Sequence, residues 1–195
     1  MNHVPEIHSL TDIDLLRESV DLECKLALGH DGQGKLPKVF WPTYSAMANT
    51  DGGLILLGVQ EKKGRFQAKG IPNPDAIRKE LADLLGNRQK VSVNILSDGR
   101  IHELHVEGHL ILAIDVPRAT RKQRPVFING NPLGDTYRRL HETDQEVPED
   151  EVKLLLSEQQ AESLDYRVLP RFGMQDLSLP TLQCPATIIN SVGDN

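Results

Sequence analysis

The stretch Glu-Ser-Val-Asp-Leu-Glu-Cys-Lys-Leu, residues 18–26, sets Glu18 and Glu23 close to Lys25. Carboxylate oxygens are ligands for hard divalent cations, and an ammonium beside them can neutralise a phosphate. The group could therefore hold a metal ion or a phosphate. The same residues also suit a solvated strand face.

A second set is cationic. From Pro117 to Leu140 the chain carries Arg118, Arg121, Lys122, Arg124, Arg138 and Arg139 against one acid, Asp135. Side chains on such a loop can track a phosphate backbone, and they equally suit a loop that serves only solubility. Tyr137 beside the arginines can stack on an unpaired base or contact a phosphate. On a strand Arg138 and Arg139 point to opposite faces, so both cannot serve one surface. The histidines, His30, His102, His105, His109 and His141 among them, are scattered. His102 and His105 fall on opposite faces of one expected strand, which is poor metal geometry.

The net charge of −6 at first argues against a polyanionic partner, but its distribution matters more than its sum. The acids concentrate between Glu142 and Glu162, where only Lys153 opposes them. That stretch reads as one acidic helical region, and it also supports a different reading, a protein-interaction or dimerisation module that docks a partner through the acidic helix. With 38% hydrophobic and 26% charged residues the chain has the composition of an ordinary globular protein, and 4% aromatics imply an aliphatic core. Cys24 and Cys184 follow no metal-ligand spacing, so a reducing compartment and a cytoplasmic location are expected. No stretch approaches a membrane span.

Elements that could position these groups follow from periodicity. Ser9 caps a short helix over about 10–17. Leu22, Cys24 and Leu26 alternate as a half-buried strand that puts Glu23 and Lys25 on one face. Residues 29–37 form a glycine-rich loop, and a helix starts at Pro42 and stops at Asn49. Asn49, Gly52 and Gly53 turn the chain into Leu54–Gln60, an apolar run expected as one central strand. The glycines could also admit a nucleotide backbone, but no Gly-Lys-Ser/Thr follows, so no ATP site is expected there. A turn at Gly64 lets residues 65–68 pair back. A helix over 74–85 precedes strands at 91–95, 101–106, 110–116, 126–128 and 136–138, and a last helix spans 149–161. The order is that of an α+β domain, a mixed, largely antiparallel sheet packed with helices, over residues 1–163. Residues 164–195 read as a linker or truncated C-terminal tail.

Three blocks together carry a family resemblance: ESVDLECK, WPTYSAMANTDGGLILLGV and PVFINGNPLGDTYRRLHETDQEVPEDEV. They resemble the Schlafen/AlbA-type DNA-binding domain. Its first block is Glu-Ser-x-x-x-Glu-Phe-Lys; Glu18, Ser19, Glu23 and Lys25 match, while Cys24 replaces the aromatic. In the second block Ala46, Ala48, Asn49, Thr50, Gly52, Gly53, Gly58 and Val59 match. The resemblance implies a nucleic-acid-binding fold, for DNA or RNA, in a regulatory (transcriptional) or defence protein. Residues 163–179 resemble the family's linker, after which ATPase-like or winged-helix parts are expected; a homo-oligomer is also an option.

In animal Schlafens the same corner is an RNA endonuclease site built from two glutamates and a later aspartate, and Glu61 stands in that third place here. The resemblance thus implies an alternative: a metal-dependent endoribonuclease with Mg²⁺ or Mn²⁺ on Glu18, Glu23 and Glu61, and Lys25 against the phosphate. The leading expectation is phosphate-backbone binding by Lys25, Arg118, Arg121, Lys122, Arg124, Tyr137, Arg138 and Arg139, with weak sequence preference.

Overall fold

A computed structural model describes residues 7–18, 20–29 and 32–165, with only the backbone for 161–165. Ser19, His30, Cys184 and the tail from 166 onward lie outside the described residues.

Helix α1 (Leu10–Arg17) begins with a capping box: Asp12 N–H donates to Ser9 Oγ, and the Asp12 carboxylate accepts from the Ser9 N–H. Strand β1 (Leu22–Lys25) follows, then helix α2 (Phe40–Asn49) and strand β2 (Gly53–Leu57). Helix α2 starts two residues before the expected Pro42, with Phe40, Trp41 and Tyr44 packed against one another on a buried face.

The apolar run after it is broken. Gly58 sits at φ +92°, and a Cβ there would meet the Gly70 backbone at 3.0 Å. The chain turns at this point, and β3 (Val59–Lys62) pairs with β4 (Arg65–Ala68) as a separate two-stranded ribbon.

Helix α3 (Pro74–Leu85) matches its expected bounds, capped by the Asn73 side chain. Val91–Ile95 is not a strand, apart from a bridge from Val91 to Ile128. The Tyr44 hydroxyl donates to Val93 O and accepts from Ile95 N–H, taking the place of a neighbouring strand. Strands β5 (Ile101–Val106) and β6 (His109–Val116) complete a four-stranded sheet of order β1-β2-β6-β5, parallel only between β1 and β2.

A second ribbon joins β7 (Tyr137–Leu140) to β8 (Thr143–Glu146), and α4 (Glu149–Asp165) ends the described chain. Residues 126–128 make only isolated bridges. The acidic stretch is therefore part hairpin and part helix, since Asp144 and Glu146 lie on β8.

The fold is α+β, as the sequence implies, with the expected single sheet divided into three. Leu54, Ile55, Leu56 and Leu57 are all buried because β2 is covered on both faces, and each such side chain contributes about 2 kcal/mol. One face packs against α2 and α3, the other against α1 and the inner side of the β3–β4 ribbon. No described helix is long and apolar enough to cross a membrane.

Candidate nucleic-acid interface

Arg139 is the most heavily paired of the described cations in the 117–140 stretch. Its side chain is only 4% exposed and meets three carboxylates: Nε to Asp21 at 3.0 Å, Nη2 to Glu23 at 2.8 Å and Nη1 to Asp144 at 2.6 Å. Asp144 also accepts from the Thr43 hydroxyl, and the Arg139 N–H donates to Thr50 Oγ1. Burial opposes the guanidinium charge, but the hydrogen bonds it donates to Asp144 and Glu23, with the nearby Asp21, outweigh it and raise its pKa. Burial pushes the Asp21 carboxyl up, against the pull of Arg139. Arg139 was expected at a phosphate. The structure corrects this: its donors are spent inside the fold, tying the β7–β8 ribbon to the start of β1.

The carboxylates expected to share a metal do not fit one as arranged. Glu23 binds Lys25 Nζ at 3.0 Å through one oxygen and Arg139 through the other. Glu61 pairs with Arg17 at 3.1 Å, and Glu18 is an exposed residue at the end of α1. Among the described residues no group of three or more His, Cys, Asp or Glu could hold a metal ion. Lys25 does share a strand face with Glu23, but its side chain is 9% exposed and engaged there, so it cannot also reach a phosphate at the surface. Cys24 lies near both Glu61 and Glu23; burial first, then those charges, push its thiol up to about 12, which excludes a thiolate nucleophile at neutral pH.

The Asn49–Gly53 block is structural. The Asn49 carboxamide donates to Val126 O and Tyr137 O and accepts from Val126 N–H, each at 2.8 Å. A Cβ on Gly52 would lie 2.6 Å from Val116 O, and one on Gly53 would lie 2.7 Å from Asp21 O. Both glycines face packed backbone, so no nucleotide can approach through them.

Of the basic stretch, three further arginines are paired with carboxylates. Arg118 pairs with Asp51 at 3.2 Å, Arg121 with Glu158 at 3.6 Å, and Arg138 with Glu151 at 2.7 Å. Arg124 is half-buried, with Nε unpartnered. Lys122 is exposed, and Tyr137 is half-buried against the core. The groove beside Arg139, about 450 Å³, is walled by Glu18, Asp21, Asp51 and Glu142 together with Arg17 and His141, so its lining is of mixed charge.

Of the histidines, His102 has a buried, unpartnered Nε2 while His105 is exposed; the two do not converge. Asp115 pairs with Arg100.

One basic surface went unread in the sequence. Lys62, Lys63 and Arg65 surround the β3–β4 turn, and Lys69 follows β4; all four are exposed. None forms an ion pair with a carboxylate among the described residues. The signal was present as the string Lys-Lys-Gly-Arg, but Gly64 drew attention as a turn and its neighbours as ordinary flanks.

The fold has known counterparts. The chain resembles the N-terminal domain of a RecG-related protein from Nitrosomonas europaea, with 28% identity and a TM-score of 0.50, over 72% of this chain and 94% of that one. The DIP2311 protein from Corynebacterium diphtheriae aligns at 20% identity with a TM-score of 0.48, over 73% of this chain and 25% of that one. Among curated proteins the chain has no match. The family model described as Schlafen, AlbA_2 matches residues 18–148, which include the Glu23 strand, the Asn49–Gly53 turn and the Arg139 strand, and the chain belongs to that family.

Proposed function

We propose that this chain is a nucleic-acid-associated module that holds DNA or RNA by the phosphate backbone with weak sequence preference. The observation that carries the reading is its similarity to a domain of a protein described as related to the ATP-dependent DNA helicase RecG, together with the family match. Exposed cations supply the physical means. Binding of this kind releases counterions, so affinity falls steeply with salt. Arg118, Arg121 and Lys122 remain candidates for secondary contacts. An exposed ion pair contributes only about 0–1 kcal/mol, so a phosphate can replace a carboxylate partner at little cost.

RNA cleavage by Glu18, Glu23 and Glu61 is not part of the proposal, because Glu23 and Glu61 are held by cations of the fold. The test is a fluorescence-anisotropy titration at low salt with duplex DNA, single-stranded DNA and duplex RNA. Salt-sensitive binding to at least one is expected; no binding to any of them refutes the reading.

A further inference from the structure

The β3–β4 ribbon has two unlike faces. Val59 and Phe66 are buried against Ile13 and the rest of the α1-side core, so the inner face is anchored. Glu61, the one acid of the ribbon, is directly opposite Phe66 on that inner face. Arg17 of α1 neutralises it and lies over the Phe66 ring at 5.4 Å. Alternation then puts Gln60, Lys62, Arg65 and Gln67 on the outer face, which carries no acid.

The outer face is electrostatically costly. Lys62 and Arg65 are direct cross-strand partners, and like charges at such a position repel. Between them Lys63 has φ 53° and Gly64 φ 72°, the two positive values of a tight hairpin turn. Asparagine or glycine suits the first of these positions, yet a third cation occupies it. No carboxylate among the described residues compensates this charge, and an external polyanion would.

We propose that the outer face of the β3–β4 ribbon is the principal phosphate-contacting surface of the module, lying along the backbone of duplex nucleic acid; the inference rests on the nucleic-acid reading above. A two-stranded ribbon is narrow enough for the major groove of B-form DNA. Lys62, Lys63 and Arg65 then meet phosphates at the tip, with Lys69 behind them. The docked inner face holds the ribbon rigid, so little ordering is needed on binding.

The experiment compares wild type with Lys62→Gln/Lys63→Gly/Arg65→Gln, using a labelled DNA duplex of about 20 base pairs, some two helical turns. Glycine at 63 keeps the turn geometry. Across about 50–200 mM salt, the variant should bind about tenfold or more weaker, with a log K against log salt slope reduced by about 2.7, or 0.9 for each lost contact. Arg65→Glu supplies the folding control. It gives Lys62 an opposite charge across the ribbon, so the melting midpoint should hold or rise while binding falls. Wild-type affinity and slope in the triple variant overturn the inference, as does normal binding by folded Arg65→Glu. Loss of binding confined to an Arg118→Ala/Arg121→Ala variant overturns it too. In each of these cases the wild type still binds and the module reading stands; a wild type that binds no nucleic acid removes both.

Discussion

The start of the basic stretch 117–140 and the β3–β4 ribbon are joined to opposite ends of strand β2. Gly53 at one end is in register with Val116, just before Arg118; Leu57 at the other leads through Gly58 into the ribbon. The two ends of this five-residue strand are roughly 13 Å apart. The first region is richer in arginine along the chain, but Asp51, Glu158, Glu151 and the Asp21–Glu23–Asp144 cage each claim a partner there. The ribbon has fewer cations, and no described carboxylate meets them. Cationic density along a sequence therefore differs from cationic charge available to a ligand, because the acids that neutralise it arrive from distant positions.

The contrast can be broken most forcefully at Arg139. Arg139→Ala leaves three carboxylates close together without their cation, and should lower unfolding free energy by about 3–5 kcal/mol in urea denaturation. The protein that remains folded should still bind nucleic acid. A stability near wild type would mean that the cage is not formed in solution. Next comes Asn49→Ala, which strips partners from Val126 and Tyr137 and should cost about 1–3 kcal/mol by the same measurement.

Smaller effects are expected at the exposed pairs. Arg118→Ala with Arg121→Ala should change stability by about 1 kcal/mol or less and affinity by less than about tenfold. A larger loss of affinity would move the interface to that end of the sheet.

The smallest effect is a pH response at α1, the helix that carries Arg17 to the ribbon. The N–H groups of His8 and Ser9 hold the Asp12 carboxyl below its usual 3.8. A depressed carboxylate stabilises the fold above the unfolded value and loses that contribution as pH falls through the lower folded value. Amide protection factors over Leu10–Arg17, with the intrinsic pH dependence of exchange divided out, should therefore fall on acidification below 3.8, and Asp12→Asn should remove that fall. An unchanged pH profile in that variant would assign the response to another group.

Much of this architecture is legible from local pattern. The capping box at Ser9, the apolar period of α3 and the apolar run of β6 are short-range signals, and the helices and strands follow them. Three features escape local pattern for identifiable reasons. The β2 run looks continuous because the turn at Gly58 breaks the strand without breaking the apolar run. Val91–Ile95 alternates like a strand, but Tyr44 takes the hydrogen bonds that a partner strand would need. Strand β8 is polar throughout, and the pairing of Asp144 with Arg139 secures it where an apolar face would otherwise be required.

By itself, then, the sequence determined the α+β class, the family blocks and the excess of cations in two short stretches, because periodicity, turn chemistry and residue order are properties of neighbouring residues. Which cations stay free was decided only in three dimensions. Coulomb attraction depends on distance through space, and folding brings Asp21 within 3.0 Å of Arg139 across more than a hundred residues of chain while leaving Lys62, Lys63 and Arg65 with no acid to meet among the described residues.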